Sequence, residues 1–522
     1  MKNIIKIFLV FTLMLSSCFL TGCSTSKYPP KVSSVLEKAG DNRGELEKAI
    51  VHFQQLGDSL KLEAVYYLLS NIESHNYRTF NLVDSSENVI EFNILDFPDF
   101  ETLITHLDSI EKALGELDFK PKDKAEDIKT ITGDFLINNV ESAYEVWMNK
   151  PWAQGQSFEN FCEYILPYRG SSEPLEAWRS HFIEKYREIE SKIPDPANPI
   201  QAASFINDDI MSWFKFDSRY YLHPTDQGLS EMLETGMGRC EDMTNLTIFA
   251  MRANGLAVTS DFTPYWANTG NNHAWNAIVT PDGKVIPFMG AECNPGKYKL
   301  ANRLAKVYRK MFSEQPSSLG MQGVEKDKLP PYLASKSIID VTADYVDVTD
   351  VEIRFIKVPE GEQFAYLCVF NSGKWKAIQW TEIVDEKAIF NDMGMDIAYL
   401  PAVYTDKEIV PLGDPFILDT DGSRRELIAD EHETATLTLV STTKRKQVIS
   451  TDGIAEAHFK EGTEYELKYW KDGWQEAGKT TAGKEPLVFD DVPQNGLYWL
   501  VAAGSDEEER MFTYENGEQV WW

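Results

Sequence analysis

The sequence predicts a multidomain α+β protein, with a helical N-terminal region, a mixed α+β core and C-terminal all-β sandwich-like modules. Three observations carry this reading. Apolar residues recur at three- and four-residue spacing before residue 200, short alternating runs dominate after residue 336, and the segment between mixes the two patterns. A chain of 522 residues also exceeds what one hydrophobic core fills, so roughly three or four domains are expected.

The first residues read as a processing signal. Lys2 and Lys6 form a short basic start, residues 7–19 an apolar run too short for a flanked membrane span, and Leu20-Thr21-Gly22-Cys23 ends it. That ending resembles a bacterial lipobox. The resemblance implies cleavage after residue 22 and lipid on Cys23, and so a membrane anchor that does not span the bilayer. Ser24 after the cysteine points by resemblance to the outer membrane of the cell envelope, with the periplasmic or surface face left open.

Residues 23–200 are expected to hold a Pro-containing tether and then helices, with periodic stretches at 44–70 and 175–193. The run Ile193-Pro194-Asp195-Pro196-Ala197-Asn198-Pro199 breaks the pattern and opens a core over 201–336. Beyond it, alternating runs at 352–358, 364–370 and 436–440 between Gly, Asp and Asn turns predict β modules over 337–430 and 431–522.

The formal net charge is −31, and loss of the two leader lysines would take it to −33. Such a surface repels polyanions, so nucleic acid is not expected as a partner. Of six cysteines, Cys18 and Cys23 belong to the leader, and the other four have neither metal-ligand spacing nor the density of a disulfide scaffold. An oxidising envelope would tend to pair thiols unless one is kept free for chemistry, and Cys240 is the candidate.

The segment Thr235-Gly236-Met237-Gly238-Arg239-Cys240-Glu241-Asp242 precedes Leu246, Phe249, Ala250 and Ala253 at helical spacing, with Gly255 as terminator. Cys240 should therefore open a buried helix, whose positive end and free N–H groups favour thiolate and can meet an oxyanion. A base is supplied by Asn272-His273-Ala274-Trp275, which has strand character. Pro281-Asp282-Gly283 then turns the chain into a returning strand over 284–289.

This order resembles the transglutaminase-like superfamily, through Gly238, Cys240, Asp242, Leu246, Arg252, Gly255, His273, Ala274 and Trp275, over residues 230–295. The resemblance implies a papain-like α+β core in which cysteine and histidine act on an amide or ester carbonyl. The family's third member, an aspartate in a phrase like Pro-Phe-Asp, is here Met289 after Pro287-Phe288. A two-residue Asp282-Gly283 loop would set Glu292 opposite His273. A three-residue loop would set Ala291 there, leaving Glu292 the nearest carboxylate. Glu292 is thus the expected orienting residue, ahead of Asp282 in the turn itself.

The reaction expected is acyl transfer through Cys240, His273 and Glu292, with hydrolysis of peptide or glycopeptide amides as its most plausible form and no cofactor implied. The rival is a non-catalytic scaffold that binds a peptide or glycan. Other features read as structural: Cys293 lacks a helix-start context, the phrase Phe161-Cys162-Glu163-Tyr164 suits packing at a helix terminus, and Asp419-Thr420-Asp421-Gly422 suits a solvated turn. The aromatics Trp470, Trp474, Tyr498, Trp499, Trp521 and Trp522 read as sandwich packing rather than a carbohydrate platform.

Overall fold

The computed structural model describes residues 27–325, 328–444, 448–449, 455–505 and 509–522, so the leader and Cys23 lie outside the described residues. Helices α1 (Pro30–Lys38), α2 (Arg43–Leu56) and α3 (Ser59–Asn71) open the fold. The periodic stretch 44–70 is two helices because Gly57 ends α2 in a left-handed conformation (φ 70°) and the Asp58 carboxylate caps α3 by accepting from Lys61 N at 3.1 Å. Their apolar faces share one core with α5 (Gly133–Asn149).

Between these helices lies a unit that helical periodicity did not announce. Strands β1 (Asn76–Val83) and β2 (Asp118–Glu126) pair antiparallel around α4 (Phe100–Leu114). Leu82, Ile94, Leu103 and Leu107 bury against Tyr220 in a small satellite core. The β2 sequence is mostly exposed and charged, so it lacks the apolar alternation by which a strand is read.

The central unit holds α6 (Trp178–Lys185), α7 (Pro199–Trp213), α8 (Leu229–Thr235) and α9 (Cys240–Ala253). An antiparallel five-stranded sheet follows: β3 (Val258–Thr263), β4 (His273–Val279), β5 (Val285–Phe288), β6 (Tyr308–Lys310) and β7 (Ile338–Asp340), in the order β5-β4-β3-β6-β7. Helix α9 is buried on nearly every side, between α6 and α7 and the sheet. The expected boundary after residue 336 needs correction, because β7 pairs with β6 (Tyr308 opposite Asp340) and covers its edge. The core thus extends past the boundary.

Buried arginines fasten the N-terminal region to this core. Arg179 donates to the carbonyls of Ile165, Leu166 and Pro167, and Arg252 donates to those of Tyr164 and Arg169, which end the buried Phe161–Ile165 turn. Arg169 in turn forms a two-pronged bond to the buried Asp127. The phrase around Phe161 is therefore a packing element, its Glu163 carboxylate accepting from Tyr67 and Ser313.

The C-terminal half is all-β. A six-stranded sheet spanning residues 364–426 faces a two-stranded pair, and a five-stranded sheet spanning 464–521 faces the strand pair Asp430–Leu439 with Leu487–Gln494. Their aromatics Phe370, Trp375, Trp470, Trp474 and Trp499 pack on one another, in a cluster that also takes in Phe262, Ala274 and Tyr308 of the central sheet. The Asp419-Thr420-Asp421-Gly422 segment closes a hairpin turn, Gly422 N donating to Asp419 O at 3.0 Å.

The β modules also hold the loop that delivers β4. Asn371 Nδ2 donates to the carbonyls of Trp266, Thr269 and Asn271 at 2.9–3.0 Å, and Arg510 donates to Ala267 O at 2.6 Å. Both side chains are buried. Replacing Asn371 by Ala leaves these carbonyls without their donor. Urea denaturation should show a loss of about 1–3 kcal/mol, and unchanged stability would mean that the loop holds itself.

Candidate active site

The turn into α9 is built around one buried carboxylate. Asp242, in the first turn of α9 and fully buried, accepts from Arg239 N at 2.9 Å and from Gln227 N at 3.0 Å. Arg239 pairs with Asp226 at 2.6 Å. Gly236 ends α8 at φ 63°, and a Cβ on Gly238 would meet Asp242, Gln227 and Phe214 within 2.6–2.9 Å. A short parallel pairing of residues 215–216 with 237–238 fixes the approach of the chain. Cys240 emerges at the first helical position, partly exposed.

His273 is the first residue of β4, opposite Thr263. Its ring stacks on Trp266 (centroids 5.9 Å apart, planes at 26°) and lies 5.8 Å from Trp275. Trp275 is fixed by a buried chain: its Nε1 donates to Tyr345 at 3.1 Å, Tyr345 donates to Asp261 at 2.6 Å, and Arg309 clasps Asp261 with two 2.8 Å bonds. The backbone of Ala274, next to His273, lies close enough to the Cys240 sulfur to favour its thiolate. Cys240 and His273 both line a cavity of about 1030 Å³.

Glu292 is not the partner of the imidazole. The hairpin has the three-residue loop, and its regular pairing stops at Asn276 opposite Phe288. Residues 289–293 then form a tight turn closed by backbone bonds between Met289 and Cys293, and side chains take up two further N–H groups: Gly290 N donates to Asn276 Oδ1 at 3.2 Å, and Ala291 N to Asn207 Oδ1 at 2.8 Å. This turn leaves Glu292 exposed, and among the described residues no carboxylate hydrogen-bonds His273. The ring is held instead by Tyr298, whose hydroxyl lies 2.7 Å from His273 Nε2. Tyr298 sits in Pro295-Gly296-Lys297-Tyr298, a loop with no periodicity or motif to single it out. Asp282 is bound in the exposed turn by Lys284 at 2.6 Å.

The electrostatics depart from the expected thiolate. Burial pushes the Cys240 thiol up to about 11, helped by the Glu241 charge and opposed by the Ala274 and Glu241 backbones and Arg239. Burial likewise lowers His273 below the ordinary imidazole range and, aided by the Glu292 charge, raises Tyr298. Cysteine, histidine and tyrosine are therefore all neutral at pH 7, where the helix start alone would have favoured a charged sulfur. The other cysteines among the described residues are unpaired: burial raises Cys162 and Cys368, and Cys293 sits in the 289–293 turn. Among the described residues no group of three His, Cys, Asp or Glu side chains is arranged to hold a metal.

A neutral pair makes a signature in pH. Alkylation of Cys240 by iodoacetamide should climb about tenfold per pH unit from pH 6 to 9, because the thiolate fraction is still far from saturation there. A plateau reaching down to pH 6, read by mass spectrometry of the labelled peptide, would show a thiolate–imidazolium pair instead.

Residues 187–288 match the model of the transglutaminase-like superfamily. No curated protein matches the chain. Among solved structures the chain is similar to the crystal structure of red sea bream transglutaminase, with 9% identity over 88% of this chain and 78% of that one and a TM-score of 0.21, a likeness too distant to bear on fold or activity. The matched segment contains the helix start with Cys240 and the strand start with His273, and residues 187–288 of this chain are a transglutaminase-like domain.

Proposed function

We propose that this chain is a cysteine-nucleophile acyl-transfer enzyme that hydrolyses peptide or glycopeptide amides at the cell envelope, anchored by lipid on Cys23. The observation that carries the reading is the placement of Cys240 at a helix start and of His273 at a strand start, with both lining one cavity. Cysteine and histidine so placed suit nucleophilic attack on a carbonyl.

In this mechanism the Cys240 proton passes to His273 as sulfur adds to the amide carbon. The carbonyl electrons move onto oxygen, where N–H groups at the start of α9 meet the charge. As the C–N bond breaks, the imidazolium returns the proton to the departing nitrogen and a thioester remains. Water, deprotonated by His273, adds to the thioester carbon. The C–S bond then breaks, the acid leaves and the protonated histidine restores the thiol. Tyr298 is a positioning residue, holding the ring by Nε2 without a buried negative charge.

A second reading, a non-catalytic scaffold that binds a peptide or glycan, is favoured by the absence of a carboxylate at His273 among the described residues. A thiol-directed acyl probe separates the two. The enzyme reading expects selective labelling of Cys240 that vanishes in His273→Ala, while slow labelling indifferent to that change would leave the scaffold. Tyr298→Phe should slow acylation roughly fivefold, the loss of about 1 kcal/mol of hydrogen bonding, with the alkaline rise in rate retained. An unchanged rate would remove Tyr298 from the site.

A further inference from the structure

The cavity that holds Cys240 is electrostatically unlike the rest of the chain. Seven basic and four acidic side chains line it, in a sequence with 51 basic and 82 acidic residues. Several of these charges are spent internally: Arg239 on Asp226, Lys310 on Glu241, Arg169 on Asp127, and the acids Glu73 and Glu314 on Lys38 and Lys31. Three lining cations remain without an ion pair among the described residues: Arg252, whose guanidinium is taken up by backbone carbonyls, and Arg78 and Lys336. Arg78 uses only its Nε, on Asn76 Oδ1 at 3.1 Å, which leaves the two outer nitrogens of its fork uncommitted.

Arg78 stands directly opposite Lys124 across the β1–β2 pair, and both side chains line the cavity. Like charges opposed on one strand pair destabilise it, and the single Glu126 carboxylate, bridged to Lys124 and felt by Arg78, is the acid that offsets the two. Lys336 approaches from the bend that leads into β7, tied to the same wall by the bond from Gln315 N to Lys336 O at 2.7 Å and from His75 Nε2 to Phe312 O at 2.9 Å. A local surplus of positive charge, retained at a cost to the hairpin and set in an acidic molecule, is what an anion-binding wall requires.

We propose that Arg78, Lys124 and Lys336 form a subsite for carboxylate groups, so that the substrates of Cys240 are acidic peptides. The assignment rests on the acyl-transfer reading for its link to turnover, but binding itself needs no reactive thiol. An arginine fork accepts a carboxylate by two parallel bonds, and the lysines supply point charges beside it. The net charge of −31 otherwise disfavours such a peptide.

Calorimetric titration of the full chain with an acetylated, amidated tetraglutamate, and with its tetraglutamine counterpart, tests this. The glutamate peptide should bind roughly tenfold tighter or better, the double variant Arg78→Gln, Lys336→Gln should lose that preference, and Arg78→Lys, Lys336→Arg should keep it. Equal binding of the two peptides, or a preference that survives the glutamine variant, would overturn the subsite. So would binding of inorganic phosphate with none of the glutamate peptide, which would make the wall a phosphate site. Glutamate binding to a protein whose Cys240 resists acyl probes would end the enzyme reading and leave the subsite standing.

Discussion

The burial of Asp242 is the constraint from which the site follows. A carboxylate with no exposure has to spend its lone pairs on donors, and here these are the backbone N–H groups of Gln227 and Arg239. Burial raises its proton affinity, and those N–H groups together with the Arg239 charge counter the rise. Satisfying one side chain thereby freezes the loop before α8, the turn after it and the entry into α9. Gly238 is required because the same carboxylate-bearing side chain fills the space where a Cβ would stand. Cys240 is then presented at the helix start without any contribution from its own side chain.

The other half of the site is delivered from further away. His273 begins its strand after a loop that Asn371 and Arg510, both from the β modules, hold by its carbonyl groups. The two arms of the candidate site are thus set by different parts of the chain, one by the helical side of the core and one by the β half. The β modules act as part of the scaffold of the site, since the Ala274 side chain belongs to the cluster they share with the central sheet.

Electrostatics at the junction are a contest of magnitudes. A helix start offers a charged group about 1 kcal/mol, reaching about 2 when partly buried. Raising the thiol from its ordinary value to about 11 corresponds to about 3 kcal/mol against the thiolate. Desolvation wins, and a histidine held by a phenol has no buried anion to reverse the outcome. The resting site is therefore neutral, and charge arises only as sulfur meets a carbonyl.

Local signals in the sequence were sufficient for what depends on neighbours in the chain. Helical spacing after Cys240 with acids in the first turn gave α9, and the Pro281-Asp282-Gly283 turn between two apolar runs gave the β4–β5 hairpin. Composition likewise fixes the acidic character of the molecule. Tertiary structure alone decided the rest. Glu292 is exposed because Asn207, some 80 residues earlier, captures the turn before it, and Tyr298 reaches the imidazole from an irregular loop. The β1–β2 hairpin and the core strand beyond residue 336 escaped for the same reason, since exposed or three-residue strands carry no periodicity of their own. Periodicity records which face of an element is buried, whereas the partner of a particular polar group depends on which distant segment arrives beside it.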